Sequence, residues 1–163
     1  MTAPKMFQYP AGFTLIELMV VMAIIAILAG LVLSTAGYVQ RKSATSRAEA
    51  EIAAISTALE SYKADMGDYP RGTNDGPNPT AAPNKGNNFL LTELMPAIGS
   101  GQKVYFEFSS SMLSKSSPTN ILDPFGEQYG YRYPGDPNRN GTNFFDLWSR
   151  AGTTNSNAWI KNW

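Results

Sequence analysis

Three regimes of hydrophobic patterning divide the chain. Residues 18–39 carry no charge and are mostly Leu, Ile, Val, Met and Ala, with no polar face. About 20 such residues at a rise of 1.5 Å match the ~30 Å hydrocarbon core of a bilayer, so the run predicts a membrane-spanning helix. A buried soluble helix fits less well, because the ~100 polar, loop-rich residues that follow offer too small a core to cover it. A secretory signal peptide also fits less well. The run is too long, and only Ser34-Thr35-Ala36 faintly resembles a cleavage site after it. Over 44–66 the pattern changes to a helical stripe of Ala48, Ile52, Ile55, Leu59, Tyr62 and Met66, with Glu49, Glu60 and Lys63 off it. Arg47 and Glu51 are spaced to pair across one turn. Gly67 and Pro70 then stop the helix.

Beyond Pro70 the apolar positions come in short bursts. Residues 72–88 are rich in Gly, Asn and Pro and predict a loop. Asn88 is placed to cap a short helix over 89–95 that ends at Pro96. The stretch KVYFEF alternates over 105–108 and predicts an edge strand. Two further strands are predicted over 128–133 and 143–148, separated by a turn-rich segment. The fold class is therefore α+β. A long N-terminal helix has a membrane-spanning half and an amphipathic half, and the second half packs on a small antiparallel sheet.

Composition narrows the chemistry. The 163 residues hold 13 basic and 13 acidic side chains, with no Cys and no His. A balanced charge supplies no basic stripe for phosphates, so no nucleic-acid partner is expected. Thiol nucleophiles, Cys/His zinc sites and the usual neutral-pH general base are absent from the sequence. Asp68, Asp123, Asp136 and Asp146 offer carboxylates, but no spacing selects a catalytic pair, so no enzyme is expected. Membrane orientation is not set by charge: Lys5 precedes the span, while Arg41, Lys42 and Arg47 follow it.

One residue conflicts with the greasy run. Glu17 stands at its mouth, where a carboxylate in hydrocarbon costs ~2.5–3.5 kcal/mol and needs a partner. The surrounding peptide, Gly12-Phe13-Thr14-Leu15-Ile16-Glu17-Leu18, followed by the apolar run, resembles the N-terminal signal of type IV pilins and type II secretion pseudopilins. The resemblance implies a leader over 1–12, cut by a prepilin peptidase between Gly12 and Phe13, and methylation of the new Phe13 terminus. It implies a transmembrane and filament-core helix over 13–40 and a periplasmic head over 41–163, including the amphipathic helix 44–66. It also implies that Glu17 serves subunit assembly by pairing with the Phe13 amine of a neighbouring subunit, which penalises wrong register. Two positions depart from the pattern. Ala11 stands where Lys or Arg is usual, and Ser34 stands where Pro is frequent.

The C-terminal third selects a branch. DPFGEQYGYRYPG, FFDLWS and the terminal IKNW are similar to the major pseudopilins of type II secretion, and zero Cys disfavours the disulfide-looped type IV pilins. The function implied is a structural subunit that leaves the inner membrane to form a helical homo-oligomeric pseudopilus driving protein export across the outer membrane. Its implied partners are minor pseudopilins, the inner-membrane platform and the secretion ATPase. The alternative is a type IV or minor pilin of an adhesion, motility or DNA-uptake fibre. Many major pseudopilins hold calcium after the DLWS strand. Here that loop offers Ser149, Thr153 and Asn155, neutral oxygens that bind calcium weakly. A second candidate set, Asp136, Asn138 and Asn140 before Gly141, matches the start of a calcium loop, but Leu147 stands at the twelfth position. The same residues also favour a plain turn.

Overall fold

The computed structural model describes residues 12–71, 87–116 and 120–163. Most of the expected 72–88 loop lies outside them. The chain forms two compact units, Met1–Arg41 and Lys42–Trp163. One helix, α1 (Leu15–Met66), contributes residues to both, and its backbone stays helical through Ser34.

In the first unit, the large apolar side chains of α1 from Leu15 to Leu33 are 49–78% exposed. They point in all directions, as the unbroken apolar run requires. The helix is long and apolar enough to cross a membrane, and none of its most apolar 18-residue window is buried.

In the second unit, α1 becomes amphipathic. Ala48, Ile52, Ile55 and Leu59 are buried, as the stripe predicts, and Ala58 is buried beside them. The stripe fails at its end, because Met66 is exposed. The helix stops there: Gly67 takes φ +88° and its N–H closes on Lys63 O at 2.8 Å, the left-handed cap that glycine adopts without strain. The short helix α2 (Asn87–Leu94) begins earlier than predicted, so Asn88 lies inside it rather than capping it.

Three short strands follow: β1 (Gly130–Arg132), β2 (Asp146–Ser149) and β3 (Ile160–Lys161). They form an antiparallel sheet in the order β1-β2-β3. Gly130 pairs with Trp148, Arg132 with Asp146, and Ser149 with Ile160. Both predicted strands are present in shortened form, and β3 comes from the chain end, where no strand was predicted. All four residues of the central strand β2 are buried. The expected strand over 105–108 is not formed. The N–H groups of Tyr105 and Phe106 instead both close on Leu94 O, at 2.8 and 3.1 Å, and satisfy the end of α2. The core joins the buried face of α1 to Leu90 and Leu94 of α2 and to Ile121, Tyr129, Tyr131, Phe145 and Leu147.

Candidate processing and assembly site

Gly12, Phe13 and Thr14 are exposed and lie outside any helix, and Phe13 is 85% exposed. The helix starts immediately after them. Thr14 caps it, with its hydroxyl oxygen accepting the Glu17 N–H at 3.3 Å. Glu17 answers: its Oε2 accepts the Thr14 N–H at 2.8 Å and the Thr14 hydroxyl at 2.7 Å. This reciprocal capping box satisfies donors that a helix start otherwise leaves open, a gain of about 1 kcal/mol. Sequence reasoning singled out Glu17 but passed over Thr14, although Thr-x-x-Glu before an apolar run is the signature of this cap. Glu17 is thereby held on one face of the helix. With Phe13, Ile16, Val20 and Val21 it lines a shallow, open apolar hollow.

The head holds the other candidate residues. Asp136 opens a turn: its Oδ1 accepts the Asn138 N–H at 2.9 Å, and its backbone O accepts from Arg139 and Gly141. The Asn138 N–H, with Arg139 and Arg132 nearby, holds the Asp136 carboxyl below its usual range. Asn140 donates through its amide to Phe145 O and Asn162 O, so it braces the turn against β2 and the chain end. Asp146 is fully buried, and burial pushes its carboxyl up. Its Oδ2 accepts the Asp136 N–H and the Arg139 guanidinium, each at 3.1 Å. The structure thus brings Asp136 and Asp146 together through a backbone N–H and two arginines, in the pattern of a braced turn.

Asp123 and Asp68 have separate duties. Asp123 accepts the N–H groups of Phe125 and Glu127 and the hydroxyl of Ser149. Asp68 accepts the Tyr133 hydroxyl and an Arg71 ion pair, which lower its carboxyl to about 2. Among the candidate ligands after β2, Thr153 and Asn155 take part in successive tight turns.

The Prokaryotic N-terminal methylation motif matches residues 9–33, the segment that contains Gly12, Phe13, the capping box and the start of the apolar run. The whole chain is 31% identical to the type II secretion system core protein G of Pseudomonas aeruginosa over 158 residues, 94% of each chain. The chain belongs to the core protein G family. It is also 41% identical over 78 residues to core protein G of Aeromonas hydrophila, covering 45% of this chain and 54% of that one. With core protein G of Escherichia coli K12 it shares 43% identity over 65 residues, 40% of this chain and 44% of the relative. No solved structure matches the chain significantly. As a member of this family of pseudopilins, the chain has the expected layout, a long N-terminal helix and a small antiparallel sheet.

Proposed function

We propose that the chain is a structural subunit of the type II secretion pseudopilus, inserted in the inner membrane with a periplasmic head and then assembled into a helical filament that drives export across the outer membrane. The observation that carries this reading is the first unit: an apolar helix, unburied on every side, headed by a methylation motif. Prepilin peptidase cuts between Gly12 and Phe13, and Phe13 becomes the methylated terminus. The exposed, non-helical Gly12–Phe13 bond beside the Thr14 cap supports this, because a peptidase needs an extended and reachable bond. Residues 13–40 serve first as anchor and then as filament core.

Glu17 sets the register. Thr14 supplies it with hydrogen bonds but no positive charge, so in an apolar surrounding the carboxylate still gains from a cation. The terminal amine of a neighbouring Phe13 provides one, and the hollow around Glu17 gives that neighbour an apolar seat. Minor pseudopilins, the inner-membrane platform and the secretion ATPase are the machinery around this step. The role is structural, and no reaction is assigned to the chain.

A deletion strain tests the reading. Export of secreted proteins is expected to stop and to return with the wild-type gene. Glu17→Ala is expected to insert in the membrane, yet to restore less than about a tenth of export, the size of effect that losing ~1.4 kcal/mol per contact produces. Undiminished export in the deletion strain sinks the proposal.

A further inference from the structure

We infer that the segment after β2 closes as a metal-free clasp built on Trp159, in the place where the resembled pseudopilins hold calcium. Calcium takes six to eight oxygens at about 2.3–2.6 Å, and carboxylates supply most of its affinity. Residues 149–163 contain no Asp or Glu and carry two cations, Arg150 and Lys161. The side-chain oxygens of Ser149, Thr153 and Asn155 already face donors. Ser149 Oγ donates to Asp123 Oδ2 and accepts the Ala151 N–H at 3.0 Å. Thr153 Oγ1 accepts the Asn155 N–H at 3.2 Å, and Asn155 Oδ1 accepts the Asn157 N–H at 3.1 Å. Each oxygen therefore has the positive end of an N–H dipole against it, which opposes a cation at the same place. The turn set of Asp136, Asn138 and Asn140 fits no better, because Arg132 stands 3.5 Å from its one carboxylate, Asp136, whose Oδ1 already accepts the Asn138 N–H.

Trp159 does the closing. Its indole N–H donates to Thr153 O at 3.1 Å, which spans the loop. Its ring lies on Trp148 of β2, with centroids 6.3 Å apart and planes 7° apart. The Arg150 guanidinium sits 5.7 Å from the same ring and leaves a fixed positive charge in the loop. Left-handed Ala151 and Gly152, at φ 53° and 67°, turn the chain back so that this contact is made. The loop is thus held at both ends, where it leaves β2 at Ser149 by Asp123 and at Trp159 by Trp148 of β2. The head keeps its C-terminal fold whatever the calcium supply around it.

All three tryptophans of the chain, Trp148, Trp159 and Trp163, lie in or beside the clasp, so indole fluorescence reports on it directly. The test is thermal unfolding of the full chain in detergent, followed by that signal, in millimolar calcium chloride and in excess EGTA. The two midpoints are expected to agree within about 1 °C, whereas a ligand bound only by the folded state raises the midpoint. Trp159→Phe keeps a ring but loses the N–H, and is expected to unfold about 3 °C lower. A wild-type midpoint that rises with calcium overturns the inference, as does a Trp159→Phe midpoint equal to wild type. Neither reading depends on filament assembly, so failure here is separable from failure of the proposed function.

Discussion

Tyr129 is buried and donates its hydroxyl to Glu51 of α1 at 2.7 Å, while Arg47 pairs with the same carboxylate. The pattern recurs along the helix. Tyr69 donates to Glu60, Tyr105 to Asp65, Tyr133 to Asp68, and Tyr131 to Pro70 O. The rings of Tyr69, Tyr129, Tyr131 and Tyr133 are buried and that of Tyr105 is half-buried, and each leaves its polar end on an acceptor of α1 or of the residues just after it. Burial and the facing carboxylate push the Tyr129 hydroxyl up, so it stays protonated and remains a donor. Tyr129→Phe leaves the carboxylate one donor short, and is expected to cost about 1.5–3 kcal/mol in a denaturant melt. An unchanged midpoint would mean that the ring alone matters there. Asp68 gives a pH test. Its carboxyl sits near 2 when folded, below the usual Asp value of about 4, so the unfolded chain binds more protons in that interval. Its stabilisation is present above about pH 4 and is lost as pH falls towards 2. The stability gap between wild type and Asp68→Asn should therefore shrink across that window; a constant gap would rule out the linkage. The Arg47–Glu51 pair was legible from its spacing, but the acceptors of the tyrosines were not, since a tyrosine names no acceptor. The Thr14–Glu17 cap carried a local signal, since its two members lie within one turn, but only Glu17 was read from it.

Among the elements, helices were easier to read than strands. The change of pattern from all-round apolar to one buried stripe is local, and it placed Ile52, Ile55 and Leu59 in the core. The strands depend on pairing with distant residues. KVYFEF alternates like an edge strand, yet its backbone is drawn to the open end of α2 at Leu94. The Ile160–Lys161 strand is too short to show any period, and it exists because β2 offers it an edge. Gly130 shows how closely the sheet is built. A Cβ there would stand 2.0 Å from Cε2 of Trp148, its partner across the sheet. That indole cannot swing aside freely, since Trp159 and Trp163 also pack on it. Gly130→Ala is expected to destabilise the head by about 1–3 kcal/mol and to change the near-UV signal of the tryptophans. A variant with wild-type stability and spectrum would show that the indole is free to move.

For the whole molecule, the two units obey opposite rules of burial. Lys42–Trp163 has its own core of helix face, sheet and aromatic rings. Met1–Arg41 contributes an apolar helix with no burial along its greasiest stretch. Such a surface is stable only when lipid or other copies of the helix cover it. The proposed life of the subunit uses both covers in turn, membrane before assembly and neighbouring helices after it. Composition and periodicity were enough to tell the all-round apolar stretch of α1 from its one-sided stretch, whereas the proposed pairing of Glu17 with a neighbour would belong to an assembly that one chain does not contain. The most direct measurement is the mass of the subunit recovered from sheared or overproduced filaments. A chain that begins at N-methylated Phe13 is the predicted result. A filament subunit that retains Met1, or one cut anywhere other than after Gly12, would contradict the account.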